Sequence, residues 1–350
     1  MPPASLDLPA HADPPFTRFR KSQFTKPVPT PRSLSLAGQT AIITGSNSGL
    51  GLECGRQFLA LGLERLIMAV RRPDAGEKVA VALRSQYPKA RVEVWTLDMA
   101  SYDSIRSFAE KCNTIERLDV VILNSGLDKI QFDTVKATGH EEMFQVNYLS
   151  TVLLAILLLP VLKSRSPEGK PGRLSLVGSG LALSSRFTNR NAVPLIPSFD
   201  DPKGWGLDAS NERYSLTKTL LLMFIFKLSS YVPSSDIICN VVDPALCKGS
   251  ALHRPGHAPF LFRAIMVIVS MIAARSMEVG ATCYVDAACV KGAESHGSFV
   301  CDWKVHAYHR MMYTEEGMMT TERLWAETLG ELKFAGVDEI LERMHKGLKA

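Results

Sequence analysis

The sequence predicts an α/β protein built on a single doubly wound parallel sheet with helices on both faces. Three observations predict it. Short runs rich in Val, Ile and Leu recur along the chain and are apolar throughout rather than alternating. A segment of helical length separates each run from the next. A glycine-rich turn closes the first run, where a strand hands over to a helix. Strands buried on both faces belong to a parallel sheet covered on both sides, and parallel neighbours need helical crossovers. Ligands of such sheets sit at the carboxyl ends of the strands.

The elements follow in order. Residues 40–44 (TAIIT) read as the first strand, 45–51 as the turn, and the first helix runs to about residue 61. Residues 65–70 (RLIMAV) are the second strand and 74–86 the second helix. The third pair is 91–97 (RVEVWTL) and 102–115, and the fourth is 119–124 (DVVILN) with a long, very apolar helix over 139–163. Residues 173–177 (RLSLV) are the fifth strand, 213–230 its helix, and 236–242 (DIICNVV) the sixth strand. The core domain spans 37–305, after a lead-in over 1–36 and before a helical extension over 306–350.

Two insertions break the rhythm, at 180–212 and 255–276. Loops of that length in a compact domain are usually functional. Both leave strand carboxyl ends, so they are expected to close as a lid over a large apolar cleft. The groups expected to line it are Leu181, Leu183, Phe187, Val193, Leu195, Ile196, Phe199 and Trp205 from the first. Phe260, Leu261, Phe262, Ile265, Met266, Val267 and Ile268 come from the second.

Composition narrows the function. With 350 residues, 46% hydrophobic and 21% charged, the chain is an ordinary globular protein. Its net charge of +5 is spread along the sequence without a basic run, which argues against nucleic acid. The seven cysteines are dispersed with no C-x-x-C pair, as expected of a reducing, intracellular and cytoplasmic setting with neither disulfides nor zinc. The eight histidines show no metal-ligand spacing, so no metal is expected. The lead-in lacks the apolar run of a signal peptide. Pro2, Pro3, Pro9, Pro14, Pro15, Pro27, Pro29 and Pro31 predict an extended conformation there. Residues 143–162 carry no charge, but Gln145, Asn147 and Pro160 give that stretch a better home in a core than in a bilayer. No transmembrane helix is expected, and interfacial contact with a membrane stays open.

Chemistry enters at the turn. Gly45-Ser46-Asn47-Ser48-Gly49-Leu50-Gly51 follows Thr44 with the spacing T-G-x-x-x-G-x-G. Glycines there let the backbone turn tightly and approach a pyrophosphate without a Cβ between them, and the helix N-terminus holds the negative charge. At the end of the second strand a site for NAD would place a carboxylate on the ribose hydroxyls. This chain has Arg71 and Arg72, which suit a 2′-phosphate and predict NADPH over NADH. Further on, Tyr214-Ser215-Leu216-Thr217-Lys218 puts a phenol and an ammonium on one helix face. A neighbouring ammonium is expected to lower the phenol's pKa toward the working range of an acid-base catalyst.

Singly, each motif has a plain structural reading. In this order, joined by Asn124-Ser125-Gly126, Asn147 and Val177-Gly178-Ser179, they resemble the short-chain dehydrogenase/reductase family over about residues 36–250. Lys21-Ser22-Gln23-Phe24, the loop before Tyr214 and the long C-terminus resemble fungal reductases of secondary metabolism and the retinol-dehydrogenase-like branch. The resemblance implies a Rossmann fold and an oxidoreductase that moves hydride between a nicotinamide and a carbonyl or alcohol of an apolar small molecule. Tyr214 would exchange the proton, Lys218 would tune it and bind the nicotinamide ribose, Ser179 would hold the substrate oxygen, and Asn147 would support a water relay. Gly45, Ser46, Asn47, Ser48, Gly49, Leu50 and Gly51 would face the phosphates. Asp98 and Met99 would meet the adenine, and Asn124, Ser125 and Gly126 the adenosine ribose. Pro244, Leu246 and Ser250 would border the nicotinamide. Two departures stand out: N-S-G replaces N-A-G through Ser125, and Pro244-Ala245 replaces Pro-Gly, with Gly249 where a Thr usually lies. The long helix and the helix after Tyr214 resemble the family's dimer-forming pair, which makes a homodimer an open expectation. Non-redox chemistry on the same scaffold, or a pseudo-enzyme acting as a binding or regulatory module, are the alternatives.

Overall fold

The computed structural model describes residues 2–249, 267 and 269–347. An eight-stranded sheet runs in the order β3-β2-β1-β4-β5-β6-β7-β8. The strands β1 (Thr40–Thr44), β2 (Arg65–Val70), β3 (Arg91–Thr96), β4 (Val120–Leu123), β5 (Gly172–Val177), β6 (Ile237–Asp243) and β7 (Phe299–Cys301) are parallel. β8 (Lys304–His306) returns antiparallel to β7. The order reverses between β1 and β4, and the crevice at their carboxyl ends is where the predicted residues gather.

Each face of the sheet carries its own apolar core. One core lies beneath the helices Gly49–Ala60, Pro73–Gln86 and Met277–Val285. The other joins Tyr102–Cys112, the long helix Glu142–Arg165, the helix Leu207–Leu228 that carries Tyr214, and the C-terminal helices Glu315–Leu332 and Val337–His345. The long helix is apolar enough to cross a membrane, yet 89% of its most apolar window is buried in the protein. Apolar residues on every side of that helix meet the sheet and its neighbours, as the polar residues within it suggested.

Two sequence expectations need correction, and one element escaped the sequence. The lead-in is not simply extended: Ala4–Asp7 and Pro15–Gln23 are helical. Pro3, Pro14 and Pro15 sit at the helix starts, where a missing N–H costs nothing, while Pro9, Pro27, Pro29 and Pro31 lie in the non-helical stretches. Ser5 is fully buried against the sheet edge, donating to the His306 carbonyl at 2.6 Å and accepting from the Phe299 N–H at 2.9 Å. The β7–β8 hairpin was missed because its strands are short and its turn residues, Asp302 and Trp303, take φ of 50° and 59° without a glycine to announce it. The first insertion is chiefly core, since Phe187, Leu195, Ile196 and Phe199 are buried against Phe144 and its neighbours. Leu181 and Val193 are the exposed members of the predicted lid there.

The C-terminal helices Glu315–Leu332 and Val337–His345 pack on the long and Tyr214-bearing helices. The Tyr148 hydroxyl meets the Thr328 hydroxyl at 2.9 Å, Trp325 stacks on Phe224 at 5.8 Å, and Lys227 pairs with Glu322 at 2.8 Å. This covers part of the face that the sequence reading offered to a second copy.

Candidate active site

The turn after β1 has the shape its glycines predict. Gly45 and Gly49 hold φ of 65° and 59°. A Cβ on Gly51 would fall 2.6 Å from the Asn124 amide and 2.9 Å from the Gly45 carbonyl. Ser46 turns inward and donates to the Ile43 carbonyl at 2.9 Å. Ser48 starts the helix at Gly49 with no side chain capping its N–H groups. That open, Cβ-free helix start fits a dinucleotide pyrophosphate. Leu50 packs beside Gly280, so its side chain serves the contact between the two helices.

Around the turn, several predicted contacts prove to be braces. Asn124 donates to the Thr44 carbonyl at 2.9 Å and accepts from the Tyr284 hydroxyl at 3.0 Å. The Ser125 N–H donates to the Thr44 hydroxyl at 2.9 Å. Tyr284, which sequence reasoning missed, is fully buried and lies far along the chain from any motif. Asp98 accepts from the Ala100 N–H at 3.0 Å, just ahead of the helix Tyr102–Cys112 that Ser101 caps. The Met99 side chain is buried in the core. Arg71 and Arg72 follow β2 beside the turn, where the Gly45 N–H donates to the Ala69 carbonyl at 2.8 Å. Both are exposed and neither is salt-bridged among the described residues.

The catalytic candidates converge. Asn147 sits in a π-helical turn, Gln145–Leu149, of the long helix. Such turns often mark functional sites. Its amide accepts from the Leu127 N–H at 2.8 Å and donates to the Leu127 carbonyl at 2.8 Å and the Thr217 hydroxyl at 3.3 Å. A Cβ on Gly126 would stand 3.2 Å from Asn147 Oδ1 and 3.6 Å from Lys218 Nζ, so the loop, the long helix and the Lys218 helix meet there. Lys218 Nζ donates to the Val177 carbonyl at 2.8 Å and lies 5.8 Å from the Tyr214 ring centre. Ser179 caps the short helix Gly180–Leu183 through the Leu181 N–H at 3.2 Å and shares a hydrogen bond with the Tyr214 phenol.

The electrostatics correct one expectation. Burial holds the Tyr214 phenol above its ordinary pKa, Asp128 and Asp243 push it further up, and the Ser179 hydrogen bond pulls the other way. The anticipated lowering by Lys218 does not prevail. Lys218 itself is brought down to about 8 by burial, with Asp243 opposing. Asp243, at the end of β6, is another residue that the motifs did not flag. Its buried carboxyl is raised by desolvation, against the Ala245 N–H at 2.9 Å, which lowers it.

At the nicotinamide end, Ala245 adopts φ of 64°, the left-handed conformation that the usual glycine would take without strain. Pro244 and Leu246 flank it; the Leu246 carbonyl accepts from the Arg275 N–H at 2.8 Å. Ser250 lies outside the described residues, as does most of 255–276, with Phe260, Leu261, Phe262, Ile265, Met266 and Ile268 among them. Val267, Met271 and Ile272 are exposed. All seven cysteines are free, and His309 is structural, meeting the Ser185 carbonyl at 3.1 Å.

The arrangement is matched by known proteins. Residues 39–189 fit the model of the short chain dehydrogenase family. A short chain dehydrogenase/reductase, mfmJ, of Annulohypoxylon moriforme is 47% identical over 97% of this chain and 98% of its own length. The chain belongs to the short-chain dehydrogenase/reductase family. The short chain dehydrogenase virL of Hypocrea virens is 41% identical, covering 94% of this chain and 95% of its own. Among solved structures, the NADP active-site complex of Pseudomonas aeruginosa RhlG superposes with a TM-score of 0.57 at 22% identity, over 76% of this chain and 95% of that one. That likeness is one of fold. As a member of the family the chain is an oxidoreductase, and the family's cofactor is a nicotinamide dinucleotide.

Proposed function

We propose that this protein is an NADPH-dependent reductase acting on the carbonyl of an apolar small molecule in fungal secondary metabolism. The observation that carries the reading is Tyr214. It is buried, kept protonated at neutral pH, and hydrogen-bonded to Ser179. A protonated phenol is the general acid that carbonyl reduction needs, whereas alcohol oxidation needs its base. Ser179 Oγ and the Tyr214 hydroxyl bind one carbonyl oxygen. A nicotinamide dinucleotide held by the glycine turn and Lys218 would supply the hydride for the carbonyl carbon. Tyr214 gives its proton to the oxygen, and the Lys218 ammonium stabilises the phenolate left behind. Asn147 holds the Leu127 backbone at both polar groups and so fixes the wall opposite Lys218.

Choice of NADPH rests on Arg71 and Arg72, two exposed guanidiniums without carboxylate partners among the described residues. An apolar substrate is supported by the side chains along the first insertion that stay outside the core. Leu181 is exposed, and Trp205 stands edge-on to Phe132 at 5.0 Å with its indole N–H on the Ile130 carbonyl. The relatives in Annulohypoxylon moriforme and Hypocrea virens support the fungal setting.

The test is twofold. NADPH consumption is followed with ketones of rising apolar size, and NADPH and NADH are titrated into the chain and into Arg71→Ala. Turnover that rises with apolar size, and an NADPH preference that narrows by about one to two powers of ten in Arg71→Ala, support the reading. Equal affinity for the two dinucleotides in the unaltered chain removes the cofactor assignment, and preference for small polar ketones removes the substrate class.

A further inference from the structure

Three stretches far apart in sequence close a pocket of about 240 Å³. They are residues 11–18 of the N-terminal segment, 183–185 of the loop that follows Ser179, and 309–310 ahead of the C-terminal helices. Among the described residues, none of those assigned above to the dinucleotide or to catalysis lines it.

Its wall is unbalanced in charge. Arg18 reaches across the pocket, donating to the Asp13 carbonyl at 2.7 Å, the Leu183 carbonyl at 3.0 Å and the Ser184 hydroxyl at 2.8 Å. Arg310 stands beside it, exposed and with no carboxylate partner among the described residues. Burial draws Arg18 below its usual pKa; Asp13 opposes this and the charge of Arg310 adds to it. Among the described residues Asp13 is the one carboxylate on the wall, and Lys21 already holds it at 2.7 Å. Two guanidiniums therefore face a space whose single acid is engaged elsewhere.

Two independent features point the same way. The helix Pro15–Gln23 begins in the wall; Pro14 at its cap and Pro15 at its first position have no N–H, so its first N–H groups are those of Phe16 and Thr17, which no side chain caps. That end of a helix carries partial positive charge. His11, also in the wall, has a buried Nε2 with no hydrogen-bond partner. Around these polar groups, Ala12, Pro14, Pro15 and Leu183 are apolar, which suits an organic anion as well as an inorganic one.

We propose that this pocket binds an oxyanion, a carboxylate or a phosphate group, between Arg18 and Arg310 at the start of the helix Pro15–Gln23. The pocket is mechanically close to the catalytic residues. Ser185 meets the Thr219 hydroxyl at 2.7 Å, and Thr219 directly follows Lys218. The loop that carries Leu183 and Ser184 starts from Ser179. Bound anion steadies that loop through Arg18.

The full chain is titrated calorimetrically with inorganic phosphate and, separately, with hexanoate, at ionic strength held constant with chloride. NADP⁺ is kept in excess so that phosphate positions at the dinucleotide site are filled. Saturable binding of at least one anion is expected, weakened about tenfold or more by Arg310→Ala, since a charge-assisted pair is lost. Ser184→Asp, which puts a carboxylate on the wall, is expected to abolish it. Binding of phosphate alone identifies a phosphate site, and binding of hexanoate alone or more tightly identifies a carboxylate site. No saturable binding of either anion, or the same affinity in Arg310→Ala and Ser184→Asp as in the unaltered chain, overturns the proposal. The comparison with the variants stands whether or not NADP⁺ binds, so it is independent of the assigned activity.

Discussion

Lys218 Nζ donates to the Val177 carbonyl at 2.8 Å, and this bond fastens the Tyr214 helix to the end of β5. Tyr214 lies one helical turn before Lys218 and Ser179 two residues beyond Val177, so a single contact sets acid and serine on the same space. It also leaves the ammonium buried, which brings Lys218 down to about 8.

Reduction is therefore expected to hold steady up to about pH 8 and to fall above it as Lys218 loses its proton, while Tyr214 stays protonated. The measurement is kcat against pH with saturating NADPH and ketone. A rate that climbs through pH 9 contradicts the assignment of Lys218 as the charged partner.

Ala245 at φ of 64° carries the strain of a side chain in the left-handed region. Ala245→Gly is expected to stabilise the protein by roughly 0.5–1 kcal/mol, the left-handed penalty less glycine's entropy cost. Urea unfolding checks this through a higher midpoint at unchanged slope. A lower midpoint means that the Ala245 methyl packs more usefully than its backbone suggests.

His140 links three parts of the chain: its ring nitrogens meet Asp200 at 2.9 Å and Glu331 at 3.1 Å, joining the first insertion and a C-terminal helix to the start of the long helix. Burial lowers its pKa, but the two carboxylates outweigh burial and raise it to about 9. Because the folded value lies above the unfolded 6.5, the stabilisation is complete below pH 6.5 and is lost as pH rises through 9. His140→Ala is expected to cost roughly 1.5–3 kcal/mol at pH 6 and much less at pH 9.5. Unfolding midpoints at the two pH values decide it; a cost independent of pH means that the ring acts by packing alone.

What the sequence made legible was local. Strands apolar on both faces, the glycine turn and the Tyr214–Lys218 spacing carry their reason in neighbouring residues, and the structure places them as expected. Asp243 and Tyr284 escaped because their roles arise from tertiary contact: one is a lone acid beside a proline, the other a tyrosine that meets Asn124 across the fold. The apolar residues of the first insertion misled for the same reason. Phe187 and Phe199 read identically whether they face a ligand or a core, and only the partner, here Phe144 and the long helix, decides. The lead-in misled through its prolines, which mark helix starts as well as extended chain.

The central claim is that Tyr214 is the general acid of carbonyl reduction. The most direct test is Tyr214→Phe, which removes one hydroxyl and leaves the packing of the buried ring. The account predicts NADPH affinity close to that of the unaltered chain and turnover of the preferred ketone reduced by ~10²-fold or more. Full turnover in Tyr214→Phe with intact NADPH binding would contradict it.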